Sequence, residues 1–135
     1  MNRRRIDKLI PAAMEVVADE KEIFQAGKIQ SKYISYINAF GPTVVQTSLL
    51  QAFMVYYRES DKANRGKIMD MLEKLLINEL SPNPANKEKR LALETKSRKG
   101  AAFTRWRNLV LEAVVALKLA MRTWPKDEEK KKQED

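Results

Sequence analysis

The side chains able to do chemistry in this chain are carboxylates and cations, because it contains no His and no Cys. Without His it lacks the commonest general base and the commonest metal ligand, which excludes Ser–His, Cys–His and His–zinc arrangements. Without Cys it has no disulfides or thiolate metal sites, as suits a reducing cytoplasm. Asp70 and Glu73 stand three residues apart and would share a helix face, but Lys67 and Lys74 stand beside them, the pattern of an exposed charged face. Glu112 lies among apolar residues, where an ionised group needs a partner, and a structural ion pair accounts for it. The four glycines are scattered, so no phosphate-cradling loop is present. The expectation is a protein that is not an enzyme and carries no cofactor or metal.

The cations have more to say. Lys and Arg number 26 against 18 Asp and Glu, a formal +8 that favours an anionic partner. Between residues 87 and 107, eight basic side chains (Lys87, Lys89, Arg90, Lys96, Arg98, Lys99, Arg105, Arg107) face only Glu88 and Glu94, a local +6. Residues 1–8 add +3, whereas the four basic and five acidic residues of 126–135 nearly cancel. Lys96, Arg98, Lys99, Arg105 and Arg107 gather around a turn at Gly100 that leads into a helix. The N-terminus of that helix would offer N–H groups and a positive dipole to a phosphate. Phe103 and Trp106 are close enough in sequence to stack on bases, but their seven-residue phase assigns them to the core. Contact with a nucleic-acid backbone needs several positive groups and no base-reading motif. A solvated lysine-rich face is the alternative.

These groups must be positioned by helices. Residues 33–57 contain no charge although 33% of the chain is charged, which argues burial. Asn38, Gln46, Gln51 and the Gly41–Pro42 break argue against a membrane span. The stretch reads as two helices meeting at Gly41–Pro42, with Gly past one helix end and Pro in the first turn of the next. Val45, Leu49, Ala52, Phe53 and Tyr56 share a face of the second. A helix so apolar is either the centre of a bundle or a face completed by a partner.

Upstream, Ile6, Leu9, Ile10, Ala13, Met14 and Val17 form a helical stripe that continues towards Ile23 and Phe24. Asp7 is the expected N-cap, with a start near Arg4 as the alternative, and Gly27 marks a break. Lys28 to Phe40 forms a helix opened by Lys28 and Lys32, with Tyr33, Tyr36, Ile37 and Phe40 on one face. Ser60–Asp61 caps a helix carrying Ile68, Met71, Leu72, Leu75 and Leu76, which Ser81–Pro82–Asn83–Pro84 stops. Residues 85–100 form a weak helix or mobile loop anchored by Leu91 and Leu93. Phe103, Val110, Leu117 and Trp124 repeat every seven residues, with Trp106, Ala113 and Ala120 between them, the mark of a long packed helix that ends at Pro125. No segment alternates as a strand does. The expected fold is all-α: one compact bundle of five to six helices over residues 1–125, residues 1–5 flexible, and a charged disordered tail over 126–135. The basic start does not make a signal peptide, because Asp7, Lys8 and Pro11 interrupt the apolar run. An intracellular, soluble protein is expected.

The run YINAFGPTVVQTSLLQAFMVYY, a capped helix, and a final AFTRWRNLVLEAVVALKLAMRTW resemble the small subunit of the type III-B CRISPR effector, the Cmr complex. Gln46, Leu49, Phe53, Tyr56 and Tyr57 fit that family's central helix, and Glu112–Ala113 fits its last. Ser48 stands where the family often has Gly, and Ala116–Leu117–Lys118 replaces its usual Trp-Leu-Lys. The resemblance covers Leu9 to Trp124. It implies an all-helical, non-catalytic subunit of an antiviral ribonucleoprotein in the cytoplasm. Its partners would be the other Cmr subunits, neighbouring copies of itself, and guide and target RNA. The candidate RNA contacts are then Lys28, Lys32, Arg65, Lys67, Lys96, Arg98, Lys99, Arg105 and Arg107. The rival readings are a helix-turn-helix DNA-binding protein, for which the helices lack a compact Arg/Asn/Gln reading set, and a purely structural adaptor.

Overall fold

The computed structural model describes residues 1–58, 64–81 and 89–127. In chain order these form α1 (Arg3–Asp19), β1 (Phe24–Gln25), β2 (Lys28–Gln30), α2 (Ser31–Gln46), α3 (Leu49–Tyr57) and α4 (Gly66–Leu75). A 3-10 turn (Ile77–Glu79), α5 (Arg90–Ser97), α6 (Gly100–Met121) and β3 (Lys126–Asp127) follow. Six α-helices among the described residues make the domain all-α, as the periodicity predicts.

α6 is the axis. Its 22 residues bury Trp106, Val110, Ala113, Val114, Ala116, Leu117, Ala120 and Met121, and α1, α2, α4 and α5 all pack against it. The small side chains at 113, 116 and 120 let neighbouring helices approach closely, so the seven-residue repeat becomes a seam. α1 runs parallel to the C-terminal half of α6: Arg5 meets Glu112 at one end, and Phe24 packs on Trp124, ring centroids 4.7 Å apart, at the other. At the opposite end of α6, the Trp106 indole N–H donates to Thr95 Oγ1 (2.9 Å), tying α5 to it.

Several boundaries depart from expectation. α2 passes straight through Gly41–Pro42, and the break falls at Thr47–Ser48. Ser48 is the true N-cap, its hydroxyl accepting from the Gln51 N–H (3.1 Å), while Thr47 Oγ1 donates back to the Thr43 carbonyl (2.7 Å). Val45 therefore belongs to α2 and points to solvent at 76% exposure, whereas Leu49, Ala52, Phe53 and Tyr56 are buried as predicted. α1 is capped by Asn2, whose side chain accepts from the Arg5 N–H, and not by Asp7; it starts at Arg3, beside the alternative start near Arg4, and Pro11 lies inside it. Residues 3–5, expected to be flexible, are its first turn. α4 ends at Leu75 and α6 at Met121, ahead of the prolines expected to stop them. Residues 60–61 and 82–84 lie outside the described residues. α5 is anchored by Leu91, Ala92 and Thr95, whereas Leu93 faces outward.

A small sheet also forms where no strand is expected. β1 and β2 pair antiparallel, Phe24 with Ile29 and Gln25 with Lys28, around a two-residue turn of Ala26 and Gly27. Both turn residues have positive φ (52° and 76°), the combination that matches strand twist in tight hairpins. β3 adds to β2 in parallel, and the Ile29 N–H donates to the Pro125 carbonyl (2.9 Å). Lys28 thus sits on a strand and not in a helix. Residues 126 and 127, expected to open the charged tail, are held in the sheet. No helix among the described residues is long and apolar enough to cross a membrane.

Candidate nucleic-acid interface

The nine candidate cations fall at two ends of α6. Lys28, on β2, is beside the strand that follows the C-terminus of α6; Lys32 opens α2 immediately after β2. Lys96 and Lys99 flank the corner where α5 turns into the N-terminus of α6. At about 1.5 Å per residue, the 22 residues of α6 separate the two ends by roughly 33 Å.

At the sheet end, the Lys32 ammonium lies 5.1 Å from the Tyr33 ring, and the Arg65 guanidinium lies 6.0 and 5.9 Å from the Tyr36 and Tyr56 rings. Tyr33 and Tyr36 meet edge to face at 5.7 Å, which links Lys32 and Arg65 through one aromatic cluster. Lys67, although close in sequence, is occupied: Glu20 sits 3.4 Å away and Asp70 4.0 Å. Burial, the largest single effect, works against its charge, but Glu20, Glu22 and Asp70 together outweigh it and raise its pKa.

At the corner, Lys96, Lys99 and Arg105 are exposed, and no salt bridge among the described residues involves them. Arg98 is a structural tie. Its Nε donates to Glu94 (3.3 Å), its Nη2 donates to the Glu79 carbonyl (2.9 Å), and its guanidinium lies 4.7 Å from the Trp106 ring. Glu94 is buried, which opposes its charge, yet bonds from Ser81 and Arg98 hold its carboxyl below the usual range. Arg107, two residues beyond Arg105, is turned about 200° round the helix and half-buried. The five cations that sequence places together therefore do not form one face: Lys96, Lys99 and Arg105 remain outside. Lys99 occupies the N-cap position of α6 and supplies no side-chain cap, and Gly100 enters the helix at φ +56°, a conformation suited to glycine. Trp106 is fully buried and Phe103 half-buried, so the core claims Trp106 as its phase predicts.

The carboxylates have structural duties. Glu112 has no exposure; Arg5 Nε (2.9 Å), Arg5 Nη2 (3.0 Å) and the Asn2 N–H (2.6 Å) all donate to it. Burial opposes the charge, but these bonds and the Arg5 charge hold the carboxyl below its usual range. Sequence reasoning expected a basic partner there without naming Arg5. Glu73 accepts from the Tyr57 hydroxyl (2.6 Å), which in turn accepts from the Leu91 N–H (3.1 Å). Burial raises the pKa of Glu73, against the pull of that bond, and burial also raises that of Asp70. Asp70 and Glu73 thus serve an ion pair and a three-helix hydrogen-bond link.

No curated protein sequence and no solved structure matches the chain. A family model described as CRISPR-associated protein (Cas_Cmr5) matches residues 6–122.

Proposed function

Because the chain belongs to the CRISPR-associated Cmr5 family, the small subunit of the type III-B Cmr complex, we propose that it is a non-catalytic helical subunit there whose α5–α6 corner contacts the sugar-phosphate backbone of guide and target RNA. The observation that carries this reading is the exposure of Lys96, Lys99 and Arg105 beside an N-terminus of α6 that no side chain caps, while Lys67 and Arg98 are taken up by intramolecular partners. Three outward cations and free helix N–H groups suit phosphates. Lys28, Lys32 and Arg65 form a second contact at the sheet end, reached by a strand that spans the length of α6. Base identity is left to pairing between guide and target, so no reading set is needed. Copies of the subunit follow the larger backbone subunits in the cytoplasm, and RNA cleavage belongs to other subunits. Asp70, Glu73 and Glu112, the carboxylates that sequence singles out, each hold a structural bond, which is consistent with that division.

Ultraviolet cross-linking of the assembled complex, with peptides of this chain identified by mass spectrometry, tests the placement. RNA adducts are expected on the peptide containing Lys96, Lys99 and Arg105. Adducts confined to other peptides, or RNA hydrolysis by the purified chain alone, would overturn the reading.

A further inference from the structure

α3 contains no charged residue, and its two sides have different fates. Leu49, Ala52, Phe53 and Tyr56 are buried, whereas Leu50, Met54 and Val55 remain 36%, 45% and 38% exposed. Leu50 and Met54 are one turn apart, as are Gln51 and Val55, so they form a ridge away from the core. α5 packs beside α3 and adds Leu93, 44% exposed and one turn after Lys89. A groove of about 480 Å³ joins the two helices, lined by Gln51, Met54, Val55, Tyr57, Arg58 and Lys89. Its two charged lining residues are both cations. Among the described residues of α3 and α5 the single carboxylate is Glu94, which is turned inward to Ser81 and Arg98; Glu59 and Glu88, next in sequence to Arg58 and Lys89, lie outside the described residues.

We propose that this α3–α5 ridge is the docking surface for a different subunit of the assembly, one presenting apolar side chains flanked by Asp or Glu. Charge decides the occupant. A second copy would bring another +8 towards a ridge already framed by Arg58 and Lys89, and like charges brought together at an interface oppose association. RNA would use the two cations but leave Leu50, Met54, Val55 and Leu93 without a role, because base stacking calls for aromatic faces and the lining's one aromatic, Tyr57, is half-buried with its hydroxyl tied to Glu73 and the Leu91 N–H. An acid-flanked apolar segment satisfies both the ridge and its rim. The inference rests on membership of a multi-subunit complex and not on RNA contact.

The test is Met54→p-benzoylphenylalanine in the complete complex, irradiated, treated with ribonuclease and digested for mass spectrometry. The expected adduct joins position 54 to another kind of subunit, at apolar residues flanked by Asp or Glu. An adduct to a second copy of this chain, an adduct to RNA, or a yield no higher than from the same group at exposed position 15 would overturn the proposal. Arg58→Glu with Lys89→Glu changes only exposed side chains. It is expected to lower incorporation into the complex at least tenfold while the circular dichroism spectrum stays unchanged; incorporation within twofold of the parent would overturn the proposal. Reversal of Lys99 and Arg105 leaves the position-54 adduct in place, so this inference and the RNA reading fail separately.

Discussion

Glu112 carries a buried charge that only a distant residue can neutralise. Its partner, Arg5, is 107 positions away, and the pair fixes the first turn of α1 against the middle of α6. The carboxyl is held below its usual range, so its stabilising effect is present at neutral pH and is lost as pH falls through the folded value, below the ~4.3 of an unfolded Glu. Glu112→Gln is expected to cost about 1–3 kcal/mol near pH 7. The gap between variant and parent should close below about pH 4, as urea midpoints at both pH values would record. Sequence made the need for a partner legible, because a lone acid among Leu, Val and Ala has few alternatives. It did not make the partner legible, since nothing in a basic chain marks which of its exposed arginines will reach back to a buried acid. The same limit applies to Lys67 and Arg98, each of which adds to a local acid (Asp70, Glu94) a non-local partner, Glu20 and the Glu79 carbonyl.

Helix identity was readable from spacing, but helix ends were not. Gly41–Pro42 reads as a break because both residues favour helix ends, yet tertiary burial of Tyr33, Ile37, Phe40 and Val44 holds α2 in one piece across it. The signal for the real break was Ser48 with Gln51 three residues on, a capping pattern overshadowed by the Gly–Pro pair. Pro42, inside α2, cannot donate to the Asn38 carbonyl, so Pro42→Ala is expected to stabilise the fold by up to about 3 kcal/mol. Ser48→Ala should cost about 1 kcal/mol. Thermal unfolding of the two variants separates this boundary from the alternative, in which Pro42 opens a helix and its loss gains nothing. The sheet escaped notice for a simpler reason: strands of two and three residues are too short to show alternation. Its hairpin was announced only by Gly27.

Taken whole, the molecule is a helical bundle with cations at both ends of one long axis and an apolar ridge on α3 and α5. The core was legible because its periodicity is strong, and the net charge because it is additive. How the charge divides was not, since only folding shows which cations are spent on internal pairs. The central claim is that Lys96, Lys99 and Arg105 contact RNA while Arg98 holds the corner together. RNA affinity of the assembled complex, measured against salt concentration, tests it most directly. With all three reversed to Glu, the slope of log affinity on log salt should shrink by about 2, at roughly 0.7 per lost single-strand phosphate contact. A slope equal to that of the parent complex would contradict the account.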